Sequence, residues 1–197
     1  SGQRSALAIP SVSSSASQFV VVRADTGAKP IILGSSRPPK SWQVYSANPR
    51  IFRLDVSQYD KDIYGLWQVV DGASQTYTNA KRMRHVMVFT SGVRSHADVA
   101  ALSDSSSVGT PESSMTDDWS SKNFTWTKAN ASGTACGSSN SGCYIYLRAD
   151  GTYSPNNYDF EIPQRETLTA GSSYMVIDGL HGRFSVSNEV HFESKNN

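Results

Sequence analysis

The sequence lacks two features that would assign it to a class at once: a long apolar run and an excess of charge of one sign. No stretch approaches the roughly 18 consecutive apolar residues of a membrane-spanning helix, so we expect no membrane insertion. Only 18% of the 197 residues are charged, and the formal net charge is +1. So weak a field does not hold nucleic acid by charge, and a nucleic-acid partner is disfavoured.

A signal peptide is also lacking, because the opening SGQRSALAIP has neither its charged nor its apolar segment. We therefore expect a mature product or an excised domain. The serine-rich SVSSSAS at residues 11–17 offers almost nothing to bury, and we interpret residues 1–17 as a linker or flexible lead. The remainder, residues 18–197, has the length of a single domain.

Helical signals are nearly absent, and only HADVAALSD at residues 96–104 suits a helix of about two turns. Strand signals are frequent, as in RIFRLDV, where Phe52, Leu54 and Val56 share one face. Such strands without helices predict an all-β fold, an antiparallel jelly-roll-like β-sandwich with at most one short helix. The predicted core comprises Phe52, Leu54, Trp67, Val86, Val88, Trp126, Ile145, Leu147 and Val186.

The chain has only two cysteines, Cys136 and Cys143, and they bracket the segment GSSNSG. The Gly and Asn residues of this segment favour a hairpin tip. An isolated pair is not a zinc site, which normally has four ligands. The polar composition favours a disulfide, with free thiols as the alternative. We predict no metal and no other cofactor.

Catalytic motifs are lacking as well. Ser-His-Asp sets can be assembled around His96 with Asp98, or around His181 with Asp178, but such sets are expected by chance in a serine-rich chain. No segment reads G-x-S-x-G, and the histidines show no metal-binding spacing. We therefore predict no enzymatic activity and no catalytic residues.

Two charged features have simpler interpretations than an active site. Asp159 and Glu161, two residues apart in a predicted strand, would point to one face of a sheet, as would suit glycoside hydrolysis. No aromatic subsite pattern accompanies them, or the pair at residues 117–118, so solvated charge is the simpler interpretation. The basic cluster KRMRH at residues 81–85 is interpreted as a solvated strand entry.

Aromatic residues are plentiful around the cysteine hairpin. In CYIYLR the alternation predicts that Tyr144 and Tyr146 face outward, where tyrosine provides contact area at low entropy cost. The polar stretch at residues 103–121 is too long for a routine connection and is expected to share in binding. The candidate binding residues are Trp119, Tyr144, Tyr146, Tyr153 and Tyr158. The alternative is that these rings cover a second sheet or a subunit interface.

Several segments together resemble the protruding domains of capsid proteins of small icosahedral RNA viruses: SVSSSAS, RIFRLDV, YGLWQVV, RHVMVFTSG, LSDSSSVGTPESSMTDDW and RFSVSNEVHFE. The resemblance covers most of the chain. It implies a non-enzymatic domain, on the virion surface or extracellular, that self-associates as a dimer or trimer and contacts a host-cell receptor, including a glycan receptor. A bacterial adhesin or lectin-like glycan-binding sandwich and a secreted jelly-roll hydrolase are the alternatives.

Overall fold

The computed structural model describes residues 7–9, 19–69, 80–90, 93–102, 125–149, 153–165, 168–170, 174–185 and 190–192. In these residues the chain forms 18 short strands and two short 3-10 helices, Val99–Leu102 and Pro155–Asn157. The all-β class is confirmed, while the jelly-roll topology stays a prediction. In chain order the strands are β1 (Leu7–Ile9), β2 (Val20–Arg23), β3 (Ile31–Leu33), β4 (Ser35–Ser36), β5 (Gln43–Tyr45), β6 (Asn48–Asp55), β7 (Trp67–Val69), β8 (Ala80–Arg82), β9 (Arg84–His85), β10 (Met87–Thr90), β11 (Val93–His96), β12 (Thr125–Asn130), β13 (Cys143–Arg148), β14 (Asp159–Pro163), β15 (Leu168–Ala170), β16 (Met175–Asp178), β17 (His181–Arg183) and β18 (Val190–Phe192).

The chain divides into two compact units. The first unit comprises Ser1–Ser36 and Pro163–Asn197, and the second comprises Arg37–Ile162. In sequence, the second unit is therefore an insertion between the two parts of the first. The single domain expected over residues 18–197 stays a prediction, because compact units are not by themselves independent domains.

The first unit consists of two stacked coils of three strands each. Strands β1, β2 and β3 of the first coil pair in parallel with β15, β16 and β17 of the second, in that order. Strand β18 pairs in parallel with the other edge of β15. Coils that stack strand upon strand in this way form a parallel β-helix arrangement. The antiparallel pairing expected from the sequence does not occur in these ladders.

The pairing of β2 with β16 shows why these sequences form coils. Val20 lies opposite Met175, and Val22 lies opposite Ile177. All four side chains are half-buried, while the residues between them are exposed. Because alternate residues of a strand point to opposite faces, the two coils align one row of apolar side chains on the same face.

Within the lead expected at residues 1–17, Leu7–Ile9 form β1 and pair with β15. The role of residues 1–17 as a linker stays a prediction. A strand of three residues depends on the partner strand that it finds and not on the composition of its neighbours. That partner comes from the other end of the sequence, so local composition gave no sign of it. The segment at residues 11–17 lies outside the described residues.

The second unit contains a five-stranded sheet in the order β5-β6-β13-β12-β9. Its neighbouring strands are antiparallel except for β12 and β9, which are parallel. A further sheet in this unit places β7 between β14 and β8, and β10 pairs with β11 as a hairpin. Antiparallel pairing therefore predominates in the second unit.

Both faces of the five-stranded sheet are buried around its central strand, β13. On one face Ile145 and Leu147 belong to a cluster that includes Trp126. On the other face Tyr146 belongs to a second cluster, which includes the residues of the helix Val99–Leu102 that face it. Neighbouring residues of β13 therefore enter different clusters, and the middle of this strand has no solvent-exposed face.

The two-turn helix expected at residues 96–104 is wrong. His96 ends strand β11, and within the described residues 97–102 the helical part is the single 3-10 turn Val99–Leu102. Val99, Ala101 and Leu102 are all buried, so this segment lacks the polar face that a surface helix needs. Burial in the second cluster outweighs its weak helical pattern.

The expected core is largely confirmed where the structure describes it. Five of its members are buried: Leu54, Val86, Trp126, Ile145 and Leu147. Phe52 and Trp67 are only partly buried. The side chain of Val88 and residue Val186 lie outside the described part of the structure.

Candidate functional site

The four candidate binding residues that the structure describes do not form one surface. Tyr153 and Tyr158 stack on each other with ring centroids 4.8 Å apart, and both pack against the first hydrophobic cluster. The Tyr153 hydroxyl donates a hydrogen bond to Oε1 of Gln68 at 2.8 Å. Burial, followed by the neighbouring Tyr158, raises the pKa of Tyr153. These two rings therefore pack against the core, and only their remaining exposed parts are open to a partner.

The outward orientation expected of Tyr146 is wrong. Its side chain is fully buried in the second cluster, and its hydroxyl donates to the carbonyl oxygen of Asn130 at 2.7 Å. Simple alternation failed here because β13 is covered on both faces. Tyr144 is half-buried, with the Arg53 guanidinium 5.0 Å from its ring centre. Trp119 and the loop at residues 103–121 lie outside the described residues.

The cysteine hairpin is the better-defined candidate. Cys136 and Cys143 form the disulfide that the composition favoured. The tip between them consists of exposed small residues except for Asn140, which is buried: Gly137, Ser138, Ser139, Ser141 and Gly142 are the exposed ones. Gly137 and Gly142 both have positive φ, as expected for tight turns.

Hydrogen bonds fix the base of this hairpin to its neighbours. Asp98 accepts a hydrogen bond from the backbone N–H of Ala135 at 2.6 Å and so holds the hairpin, while the ring nitrogens of His96 lie against His85 and Asp62. The Asn140 amide donates to the carbonyl oxygens of Tyr59 and Lys61 at 2.7 and 2.8 Å. The hairpin is therefore attached on two sides and presents a rigid, polar tip.

A buried charged group lies below Asn140. The side chain of Lys128 is fully buried, donates to Oδ1 of Asn140 at 3.0 Å, and forms an ion pair with Asp62. An unpaired ammonium at this position would cost several kcal/mol, and these contacts compensate for the burial of its charge. The ion pair links β12, the loop before β7 and the hairpin tip.

Asp62 connects this ion pair to an exposed aromatic ring and to a histidine. Nε2 of His96 lies 3.4 Å from Oδ1 of Asp62. Burial raises the pKa of Asp62, but its contacts with His96, Lys128 and Tyr64 outweigh burial and hold the pKa well below its usual range. Asp62 in turn raises the pKa of Tyr64, the ring of which stacks on His96 and is 53% exposed.

His85 and His96 form a buried pair joined at 2.9 Å between Nε2 and Nδ1. The ring of His85 also stacks on Trp126, with centroids 3.9 Å apart and planes 4° apart. Its Nδ1 is buried and has no hydrogen-bond partner among the described residues. Burial, and then the nearby His96, lower the pKa of His85 well below the usual histidine value.

The carboxylate pair suggested by the sequence lies on one side of β14, as its spacing predicts, but it is already engaged. The Arg37 guanidinium donates to Oε1 of Glu161 at 2.9 and 3.0 Å and lies 3.4 Å from Oδ2 of Asp159. Lys40 approaches the other oxygen of Asp159 at 3.1 Å. Glu161 is fully buried, so solvated charge is not its environment.

The sequence analysis missed the Asp62, Lys128 and Asn140 cluster. One signal was available, because alternation in NFTWTK places Lys128 on the same inward face as Trp126. A lysine at an inward position requires a buried anion, but sequence could not identify Asp62 as that anion. In the part of the chain that the structure describes, no three His, Cys, Asp or Glu side chains group as metal ligands, and no helix is long and apolar enough to cross a membrane.

Comparison with known proteins gives no family. No family model matches the sequence, and no curated protein matches it. A solved structure described as the complex of XylC with xylose aligns with a TM-score of 0.49 and 16% identity. The alignment covers 91% of this chain and 28% of the XylC chain. At this score the similarity carries no argument about fold or function.

Proposed function

We propose that this chain is a non-enzymatic recognition and self-association domain exposed at a surface, and that the cysteine hairpin makes the partner contacts. The observation that supports this proposal is the rigid polar tip. A disulfide, Asp98 and Asn140 hold its base, while small residues at its end are exposed. A tip ordered before binding loses little conformational entropy when a partner binds.

The resemblance to viral protruding domains makes a capsid protein that contacts a host receptor the proposed setting. A glycan-binding module is the second candidate, and Tyr64 supports it. Its exposed ring lies beside the carboxylate of Asp62. An aromatic ring that presents an apolar body next to a hydrogen-bond acceptor suits a partner that has both apolar and hydroxyl-bearing surfaces.

Substitution at the tip tests the proposal. The variant Ser138→Arg/Ser141→Arg should weaken binding to cultured host cells at least tenfold, because it adds bulk and charge to the exposed end. Ser41→Arg/Ser46→Arg is the matched control, with the same charge change at two exposed serines outside the hairpin. Light scattering must show equal oligomeric states, since a lost oligomer alone would reduce avidity.

Equal binding by the tip variant and the control would show that the hairpin is not part of the contact surface.

A glycan array tests the second candidate, a glycan-binding module. Tyr64→Ala should lose glycan binding, while Tyr174→Ala, at a ring of similar exposure, retains it. Turnover of an ester or glycoside panel by the unaltered chain would instead support the hydrolase alternative and contradict a non-enzymatic role.

A further inference from the structure

One face of the ladder formed by β2 and β16 is apolar and exposed. Among the described residues, seven large hydrophobic side chains are exposed, and four of them belong to this face, with exposed fractions between 44 and 59%: Phe19, Val21, Tyr174 and Val176. Exposed apolar side chains that are scattered singly are ordinary, whereas a contiguous group marks a contact surface. The grouping on one ladder therefore needs an explanation.

The four side chains are contiguous. Val21 lies directly opposite Val176 in the parallel ladder. The rings of Phe19 and Tyr174, just before the two strands begin, meet edge to face with their centroids 6.2 Å apart. The residues that alternate with these in the two strands are half-buried on the other side of the ladder, so the apolar group is a property of the exposed face.

The same face carries one positive and one negative charge at its far end. Arg23 follows Val21 by two residues and Asp178 follows Val176 by two, so alternation places both charges on the exposed face, and both residues are exposed. The register sets Arg23 directly opposite Asp178. Each strand therefore presents a ring, a valine and a charge in the same order, and the sign of the charge differs between the strands.

This order makes the face complementary to a copy of itself. A two-fold axis that runs parallel to the strands, between two facing copies, places β2 of each copy over β16 of the other. Arg23 then meets the partner's Asp178, and the same pair forms a second time across the axis. The valines and the rings match in the same way. An in-plane axis perpendicular to the strands would instead set each charge against a ring and pair no opposite charges.

We propose that the exposed face of β2 and β16 binds the same face of a second copy in a two-fold dimer, with Arg23 of each copy paired with Asp178 of the other. The proposal rests on the self-association part of the proposed function and names the surface that performs it. A stable interface buries about 800 Å² on each partner and has an apolar centre with a polar rim. The rings and valines supply that centre, and the charge pairs belong to the rim.

Two charge variants test this pairing by sedimentation velocity over a series of protein concentrations. Arg23→Glu makes both charges of the face negative, and Asp178→Arg makes both positive. Each variant should therefore self-associate at least about tenfold more weakly than the unaltered chain, because like charges meet across the axis. An equimolar mixture, with one variant fluorescently labelled, should recover the dimer. A folding defect in either variant cannot produce such recovery.

A second pair of variants tests the apolar centre. Val21→Glu/Val176→Glu should raise the dissociation constant of the dimer about 30-fold or more, because it places charge at the centre of the interface. Val44→Glu/Val93→Glu is the matched control, with the same substitutions at two exposed valines in other strands. The control should associate as the unaltered chain does.

The outcomes separate this proposal from the proposed function. A chain that is monomeric at every concentration overturns both the dimer and the self-association role. A dimer that the charge and valine variants leave unchanged, or a mixture that does not recover it, overturns the assignment of this face alone. A monomer that binds phosphatidylcholine vesicles, and loses that binding in Val21→Glu/Val176→Glu, identifies a lipid surface as the occupant and overturns the dimer.

The hairpin tip takes no part in these measurements, so its role in recognition is tested separately. Tyr174 lies on the proposed dimer face. The glycan array therefore compares Tyr64→Ala with Tyr174→Ala at a concentration at which both are monomeric, so that avidity does not differ between them.

Discussion

Lys128 is a buried residue that supports the hairpin region. Its fully buried ammonium group satisfies both Asp62 and Asn140, and the amide of Asn140 in turn holds two backbone carbonyls of the neighbouring loop. Removal of one member of a buried ion pair leaves the other charge without compensation, which costs far more than the net contribution of the intact pair. The charge pair is therefore a requirement of this local structure.

We expect Lys128→Met to destabilise the second unit by about 3 to 5 kcal/mol, because it leaves the Asp62 carboxylate without its lysine partner. Urea unfolding followed by tryptophan fluorescence measures this loss. The double variant Asp62→Asn/Lys128→Met should recover part of it, since no buried charge remains. Lys40→Met, at a lysine that is 51% exposed, is the control and should change stability by less than about 0.5 kcal/mol. Equal effects at the two lysines would contradict the role given to Lys128.

The buried side chain of His85 makes the free energy of unfolding decrease as the pH falls. Burial, His96, Arg82 and Lys128 all lower its pKa, Asp62 raises it, and the result lies well below 6.5. The unfolded chain therefore binds a proton at a higher pH than the folded chain does. This contribution to stability is fully present above about pH 6.5 and is lost as the pH falls below that value.

Unfolding free energy measured from pH 7.5 to 5 should consequently decrease below pH 6.5, by up to about 1.4 kcal/mol per pH unit from this group. His85→Gln should flatten this part of the profile, because glutamine does not titrate. His181→Gln, at an exposed histidine, is the control and should keep the slope of the unaltered protein. A slope that persists in His85→Gln would assign it to another group.

Among the elements, the end of β3 is closely packed against the strand connection before β15. Gly34 follows this strand, and its carbonyl oxygen accepts the backbone N–H groups of Gln164 and Arg165, both at 2.9 Å. A Cβ atom on Gly34 would lie 2.4 Å from the carbonyl oxygen of Arg165. The backbone that follows β3 and the backbone that precedes β15 therefore lie next to each other here. The distance between them is one that only a residue without a Cβ atom permits.

Gly34→Ala should therefore force a backbone shift and destabilise this junction by about 1 to 3 kcal/mol. Hydrogen exchange in β3 and β17 should be at least about tenfold faster in the variant, because their ladder ends at this residue. Lys29→Ala, at an exposed position before β3, is the control. Unchanged exchange in Gly34→Ala would show that the backbone accommodates the added methyl group.

The sequence predicted strands better than it predicted their partners. Alternation in RIFRLDV correctly placed Leu54 and Val56 in the core, because a half-buried strand shows its pattern locally. Pairing of β2 with β16 joins residues from opposite ends of the chain, and nothing in either segment encodes that register. The same limit explains Tyr146, since the residues that cover its face come from the distant helix Val99–Leu102.

For the candidate site, composition indicated the hairpin and its disulfide correctly. It did not reveal that Asp62 and Asn140 meet Lys128, because three separate segments supply this cluster. A buried polar network is defined by tertiary contacts, and a sequence pattern shows at most that one member faces inward. The usable signal in the sequence was the positive charge of Lys128 at an inward-facing position.

At the scale of the whole molecule, both hydrophobic clusters belong to the second unit. Every residue assigned to either cluster lies within Arg37–Ile162. A segment with its own core can in principle fold alone, and inserted domains commonly have this property. The first unit instead depends on strands stacked between the two ends of the chain.

We therefore expect a fragment of residues 37–162 to fold without the rest of the chain. All four tryptophans lie in this segment, so fluorescence reports its unfolding in the fragment and in the full chain alike. The fragment should unfold in one cooperative urea transition. Lys128→Met should lower its stability by the same amount as in the full chain, because the ion pair and both clusters are intact in the fragment.

Sensitivity to Lys128→Met separates a native fragment from a collapsed one, since a molten state would lack the specific contact between Lys128 and Asp62. Leu54→Ala is a second probe and should cost about 2 to 5 kcal/mol in both contexts, because Leu54 is buried in the first cluster. A fragment that shows no cooperative transition would demonstrate that the core of the second unit depends on residues outside it. A cooperative fragment with equal losses for both variants would establish the second unit as an independently folding insertion.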